Sequence, residues 1–354
     1  MEIKFTQAAE LKNKPKDETK LGFGQIFTDY MFVMRYSEGK GWYDAQIKPY
    51  EYFSISPAAT VLHYAQEVFE GLKAYRTKSG NINLFRAADN FKRMSNSSLR
   101  LAMPDFDEKF VHDALKELVR IDKEWVPGAE ATSLYIRPTY IGVDPFIGVR
   151  AAHDYIFYII MSPVGAYYAN GLAPIKILVE KEYTRSSRGG TGFAKTGGNY
   201  AASLMAGKEA QEKGCDQVLW LDAKDRKYVE EVGSMNMFFV INNRLVTPPL
   251  DGTILPGITR DSVIKIARNQ GIEVEERAIS IEEVIETAKA GDMTEAFGTG
   301  TAAVVSPVGE FLYGNESVVV AGGEMGAMSQ KFYDTLTGIQ YSDDMDKYGW
   351  VERV

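Results

Sequence analysis

Residues 189–203 read GGTGFAKTGGNYAAS, a single lysine, Lys195, among glycines, small residues and one tyrosine. GGTGFAKT comes close to the phosphate-loop pattern G-x-x-x-x-G-K-[ST], with Gly189, Lys195 and Thr196 at the right offsets. Ala194, however, stands where a backbone that approaches a phosphate wants glycine, and Gly197-Gly198 follow where that loop's helix should already be running. Lysines are mostly solvated loop or surface residues, and spacing alone does not exclude that here. The remaining reading is a nucleophilic amine. Burial among small, uncharged neighbours disfavours the ammonium form and leaves room for a planar ring beside the chain.

Around the lysine, strands and helices alternate without a strict βαβ repeat, which favours a mixed α+β fold over a doubly wound sheet. Upstream, residues 26–36 (IFTDYMFVMRY), the turn SEGKG and the run AQIKPYEYFSI predict a hairpin. Helices are predicted over 87–103 and 107–122, separated by Pro104, and in the second Phe110, Ala114, Leu115, Leu118 and Val119 share one apolar face. The apolar runs 132–143 and 154–165 return to strand character. Downstream come a strand at 175–181, a helix from Tyr200 to Gly214, strands at 217–222 and 234–242, and helices from Ile258 and Ile281. The apolar stretch 295–309 and a C-terminal helix near 326–339 complete the chain. At 354 residues two domains are expected: 1–165, a connector over 166–174 punctuated by Gly171 and Pro174, and 175–354.

With 45% hydrophobic and 25% charged residues the composition is that of a soluble globular protein, and a formal charge of -8 speaks against nucleic-acid or anionic-membrane surfaces. The N-terminus has no apolar core of a signal peptide, and the apolar run from Tyr155 is too short for a transmembrane helix and contains Pro163. One cysteine, Cys215, excludes an internal disulfide, and the scattered His63, His112 and His153 give no metal-ligand spacing. Small-molecule chemistry in a reducing cytoplasm is the expectation.

KTGGNYAAS, EVGSMNMFFV, LVTPPLDGTILPGITR and AFGTGTA, together with HYAQEVFEGLKAYR and LYIRPTYIG in the first half, resemble the motifs of branched-chain amino acid aminotransferases in order and approximate spacing. The likeness runs from about Gly22 to the C-terminal helix. It implies a homodimeric, pyridoxal-phosphate-dependent enzyme of fold type IV, like the D-amino acid aminotransferases, with two α+β domains per chain. The implied reaction moves the amino group between leucine, isoleucine or valine and 2-oxoglutarate by a ping-pong route. Rival readings are a D-amino acid transaminase or aminodeoxychorismate lyase on the same fold, a nucleotide hydrolase, and a catalytically silent binding protein.

By the same resemblance Lys195 is the Schiff-base lysine and proton shuttle, a dual task suited to a flexible amine. Glu231 is implied against the pyridine nitrogen; Glu230 and Glu231, adjacent in an extended strand, face opposite sides, so that one is expected to be buried and the other to meet water. Tyr200 is implied at the cofactor's ring oxygen. The phosphate is assigned to Ile258 and Thr259 at a helix start, to Thr301, and to Arg93 as main cation with support from Arg185. Tyr135 and Arg137, two apart on a strand, share a face and are implied at the distal carboxylate of glutamate. Phe23, Tyr64, Phe69 and Tyr167 are implied as the pocket's aromatic wall. Backbone N–H groups near Thr301 and Ala302 are implied at the α-carboxylate. Tyr64 and the loop 144–149 are expected to reach the partner subunit's site. Some animal members of the family carry Cys-x-x-Cys after the Thr-Ala of this turn; Ala303 and Ser306 occupy those positions here, so no thiol switch is expected.

Overall fold

The computed structural model describes residues 1–165, 172–344 and 346–354. Most of the expected connector, and Tyr167 with it, lies outside them. The chain forms two compact units: Met1–Tyr167 with Ala194–Gly197 and Gly338–Val354, and Tyr168–Phe193 with Gly198–Thr337.

The first unit is built on a sheet that runs, among the described residues, from Lys4–Phe5 through Gly41–Pro49, Tyr30–Ser37, Asp154–Val164, Ser133–Gly142, Leu72–Arg76 and Ile82–Phe85 to Val351–Arg353, with Glu67–Phe69 joined to Ser133–Gly142. The expected hairpin is the antiparallel pair Tyr30–Ser37 and Gly41–Pro49. One face of the sheet is covered by helices Ala87–Arg100 and Glu108–Ile121, with Phe32, Phe91, Leu115, Leu118, Tyr140 and Phe157 fully buried in the shared core. The second helix starts at Asp107, whose carboxylate accepts the Phe110 N–H at 3.0 Å, a cap worth about 1 kcal/mol. Val111 joins Ala114, Leu115, Leu118 and Val119 on its buried face, while Phe110 is only partly covered. Each buried valine or leucine contributes roughly 1.5–3 kcal/mol, and Ala114 less.

Strand alternation decides what the other face of the sheet carries. In Ser133–Gly142, Leu134, Ile136 and Tyr140 enter the helix-covered core, so Tyr135, Arg137 and Thr139 face the opposite way. Register sets Lys73 opposite Tyr135, Phe69 opposite Thr139 and Glu67 opposite Ile141 on that same face. The C-terminal stretch, read from sequence with the second half, belongs to this unit: Val351–Arg353 pairs with Ile82–Phe85, and the Tyr341 ring packs at 4.9 Å from that of Tyr75. Pairing with the last strand covers an edge that would otherwise be open.

In the second unit, Val229–Val232 pairs with both Gln217–Leu221 and Met235–Ile241, and through Ile175–Val179, Val304–Tyr313 and Met293–Gly300 these strands close a ring. Apolar residues of the ring, among them Ile177, Leu219, Val232, Met237, Phe239 and Phe311, form one buried cluster. Phe238 and Phe297 stack at 5.2 Å, with Phe332 of the helix Ala327–Tyr341 against Phe297. The apolar stretch 295–309 turns out to be a tight hairpin, with Met293–Gly300 antiparallel to Val304–Tyr313. The helix expected from Tyr200 to Gly214 is broken into Gly197–Ala201 and Leu204–Glu212, and Gly214 ends it with φ 71°.

Candidate active site

In the first unit the backbone of Lys195 is fastened on both sides. Its N–H donates to Ser97 Oγ at 3.0 Å, and its carbonyl accepts the Phe69 N–H at 3.0 Å. The Nζ stands 4.8 Å from the centre of the Phe69 ring. The lysine stretch has no acid of its own, and Glu70 provides one. Glu70 is fully buried and accepts from Arg93 Nε at 2.7 Å, Arg93 Nη2 at 2.8 Å and Asn90 Nδ2 at 2.8 Å. Burial pushes its pKa up, but the charge and hydrogen bonds of Arg93, with the Lys195 ammonium and Asn90 added, hold it below the ordinary carboxylate range. Arg93, expected as the main cation for a phosphate, is itself buried and directs its fork at Glu70.

Beside the lysine lie the residues of the sheet's open face. Arg137 Nη2 donates to Tyr135 Oη at 2.9 Å, and the guanidinium stacks over Phe69 at 4.7 Å. Arg137 Nε is buried with no hydrogen-bond partner. Phe23 packs on Tyr135 at 4.8 Å between ring centres. Tyr135 is fitted over Gly71, where an added Cβ would meet its hydroxyl at 2.1 Å, so only glycine leaves that hydroxyl in place. Phe23, Phe69, Tyr135, Arg137 and Lys195 are therefore one cluster. Tyr64 stands in an exposed apolar patch, where its hydroxyl donates to the Ile147 carbonyl and Leu62, Phe146, Ile147 and Val149 are also exposed.

In the second unit Glu231 is a buried acid. Its Oε2 is 2.6 Å from Arg185 Nε, and its Oε1 accepts from Asn236 Nδ2 and the Leu255 N–H, each at 3.1 Å. Arg185, expected as phosphate support, thus supplies the countercharge that a buried carboxylate needs. Its other nitrogens donate to the Gly192 and Thr253 carbonyls. Tyr200, Asn199 and Arg185 line a cavity of about 420 Å³ together with Gln217 and Trp220.

Helix Ile258–Asn269 starts at Gly257, where a Cβ would lie 1.9 Å from Asn236 Oδ1, so the chain passes too close for any side chain. Thr259 is buried and Ile258 partly so. Thr301 and Ala302 form the turn between Met293–Gly300 and Val304–Tyr313, and the hydroxyl of Thr299 just before it is buried without a partner. A helix N-terminus, hydroxyls and an orphaned donor suit a phosphate, and a buried acid suits a protonated ring nitrogen. These residues fit a phosphorylated heterocycle.

The expectation that one of the two adjacent glutamates meets water is not met. Glu230 is buried as well, at 6% exposure, and its Oε2 has no hydrogen-bond partner. Burial pushes its carboxyl up to about 7, with Glu231 and Asp251 adding to the rise against Thr253 and Arg185. An acid whose folded pKa is raised loses folded-state stability as pH climbs from the unfolded value toward the folded one, and the loss is complete above it. Glu230→Gln should therefore melt higher than the parent at pH 8, with the gap shrinking toward pH 4.5. Thermal melts across that range test it, and a pH-independent gap would contradict the assignment.

Sequence reasoning missed Glu70, Asn90, Ser97 and Asn236. Glu70 lies inside HYAQEVFEGLKAYR, and its signal was an acid next to glycine beside apolar residues; Asn90 and Ser97 act on Glu70 and Lys195, too distant in sequence to leave a local signal, whereas Asn236 sits opposite Glu231 across a tight hairpin, a local pairing that could have found it.

Residues 67–311 match the family described as amino-transferase class IV. The branched-chain-amino-acid aminotransferase 2 of Bacillus subtilis (strain 168) is 54% identical over 96% of this chain and 94% of its own length. The crystal structure of the Escherichia coli branched-chain amino acid aminotransferase superposes with a TM-score of 0.76 at 28% identity, covering 92% of this chain and 98% of that one. The T.th. enzyme of the same name, complexed with N-(5'-phosphopyridoxyl)-L-glutamate, superposes with a TM-score of 0.72 at 26% identity, over 94% and 98% of the two chains.

Proposed function

This chain belongs to the amino-transferase class IV family, among the branched-chain-amino-acid aminotransferases of fold type IV, and from that membership we propose that it exchanges the amino group between leucine, isoleucine or valine and 2-oxoglutarate with pyridoxal 5'-phosphate as cofactor. The observation that carries the substrate reading is the cluster of Lys195, Phe69, Tyr135 and Arg137. It joins an amine, an aromatic wall and a guanidinium with an unsatisfied Nε, which suits aliphatic and acidic side chains in turn.

When bound, the cofactor supplies an electron-accepting ring. The Lys195 amine would hold the cofactor through its aldehyde, and the freed Nζ would be the base that accepts the substrate's α-proton and the acid that delivers it. Glu231 holds the proton on the ring nitrogen, and Arg185 keeps that acid charged and oriented. Tyr200 donates to the ring oxygen. Ile258, Thr259 and Thr301 bind the phosphate through N–H and hydroxyl groups, and Arg93, oriented by Glu70, adds positive charge. Thr301 and Ala302 offer N–H groups to the α-carboxylate. Phe23, Phe69 and Tyr64 exclude water from the side-chain pocket, and Arg137 with Tyr135 receives the distal carboxylate of glutamate.

The assembly in this reading is a cytoplasmic homodimer. The exposed apolar patch of Leu62, Tyr64, Ile147 and Val149 supports it, because a surface of that kind commonly marks an interface. Initial rates with 2-oxoglutarate test the function. L-leucine, L-isoleucine and L-valine should each exceed aromatic and D-amino acids by at least about tenfold, a ratio worth about 1.4 kcal/mol in the transition state. Preference for a D-amino acid would favour the related D-specific transaminases instead.

A further inference from the structure

We propose that Val304 is a positioning residue for the substrate's α-carboxylate: a buried, β-branched side chain on left-handed backbone that keeps the turn 301–303 in the shape that presents its N–H groups to the anion. The proposal rests on the reading that this turn binds the α-carboxylate.

Thr301, Ala302 and Ala303 connect Met293–Gly300 to Val304–Tyr313, with Gly300 paired to Val304 and Thr299 to Val305. Val304 has φ 61°, and of the non-glycine residues with positive φ among the described ones it alone is β-branched. Left-handed backbone is ordinarily left to glycine, asparagine or aspartate, because a branched Cβ crowds the adjoining carbonyl. A valine persists there only where its surroundings over-determine it. Here they do. Val304 is buried, as are Ala303 before it and Val305 after it. On the other strand an added Cβ would stand 2.9 Å from Met235 Cε at Gly298 and 3.3 Å from Met235 Cγ at Gly300, so Met235 packs directly on that backbone. Thr301 and Ala302, by contrast, are only partly covered, and neither Thr301 nor Ala303 makes a backbone–backbone hydrogen bond among the described residues. The shape of the turn therefore follows from its two clamped strands and from the dihedral of Val304.

Glycine at 304 would reach the same φ without strain, and valine stands there all the same. The difference lies in what else each residue can do. Glycine samples left-handed and right-handed backbone about equally, so a turn ending on it would drift among several shapes. A β-branched residue is stiff, and one whose side chain is buried beside the sheet has a single backbone state open to it. Strain of this kind collects at sites where a shape must exist before the ligand arrives. The N–H groups of the turn are then set in advance, and binding the carboxylate does not have to order them.

Val304→Gly tests this on the holoenzyme with two unreactive probes, 4-methylpentanoate and its uncharged amide. By calorimetry the dissociation constant of the carboxylate should rise about tenfold relative to that of the amide, equivalent to about 1.4 kcal/mol. KM for leucine should rise with it. Loss of a buried side chain also lowers the melting temperature, but general loosening weakens both probes alike and leaves their ratio where it was. Val304→Ile keeps the branched Cβ and should keep the parent's ratio. A ratio in Val304→Gly within about twofold of the parent's overturns the proposal, as does a tenfold shift in Val304→Ile. Amide hydrogen exchange in the peptide covering residues 299–305 is the control, and in the parent it should slow when 4-methylpentanoate binds. If it slows while Val304→Gly leaves the ratio unchanged, only this inference fails; if it does not slow, the assignment of the α-carboxylate to the turn falls and this proposal with it.

Discussion

Lys195→Ala will yield a folded protein whose transaminase turnover is lower than the parent's by at least about four orders of magnitude. A positioned general base alone contributes about 10²–10⁴-fold, and here the same amine is also the covalent tether, so one substitution removes two contributions. The fold should survive because the contacts that fasten this segment belong to its backbone: the N–H to Ser97 and the carbonyl to Phe69. Glu70 does not become a stranded charge, since Arg93 and Asn90 still hold it. Melting temperature should therefore change little while turnover disappears. Borohydride treatment followed by mass spectrometry of a proteolytic digest gives the second readout. The parent should carry a reduced cofactor adduct on the peptide containing Lys195, and the variant none. A small amine added in solution should restore part of the rate, because the missing group is a base. Turnover above about one per cent of the parent's would remove Lys195 from the chemistry, as would an adduct found on another lysine.

Lys195 also shows where sequence reading succeeds and where it stops. Elements whose signal is local were legible: the helices Ala87–Arg100 and Glu108–Ile121 through their apolar period, and the first hairpin through its polar turn. The strand partners were not. Nothing in the residues Val351–Arg353 points to Ile82–Phe85, and the closure of the second sheet through Val229–Val232 depends on pairings that periodicity cannot report. The site follows the same rule. Tyr135 and Arg137 on one face could be inferred from strand geometry, and the structure joins them at 2.9 Å. The ion pairs that govern the charges, Arg93 with Glu70 and Arg185 with Glu231, link residues far apart in sequence, and the family resemblance pointed both arginines toward a phosphate without revealing these partners. Glu230 shows the opposite limit. Alternation correctly turned it away from Glu231, yet it is buried too, because both faces of that strand are covered.

The second large effect is expected at Glu231. Glu231→Gln should lower kcat by about two to three orders of magnitude, because a carboxylate about 4 Å from a ring cation at an effective dielectric near 20 stabilises it by about 4 kcal/mol, and that is the gross ceiling on what the substitution forfeits. The same change should also destabilise the protein, for a different reason. The Oε1 of the glutamine can still accept from Asn236 and Leu255, but its amide group would present donors to Arg185 Nε, which now stands 2.6 Å from a carboxylate oxygen. A buried guanidinium left without its partner costs about 3–5 kcal/mol. Loss of activity in the single variant could then be blamed on a damaged fold. The double variant Glu231→Gln, Arg185→Met resolves this by removing the stranded charge together with its partner. It should recover most of the lost melting temperature and none of the lost kcat, since no anion remains to hold a proton on the ring nitrogen. If kcat returned with stability, Glu231 would be a structural partner of Arg185 and the proposed ring-nitrogen role would fail.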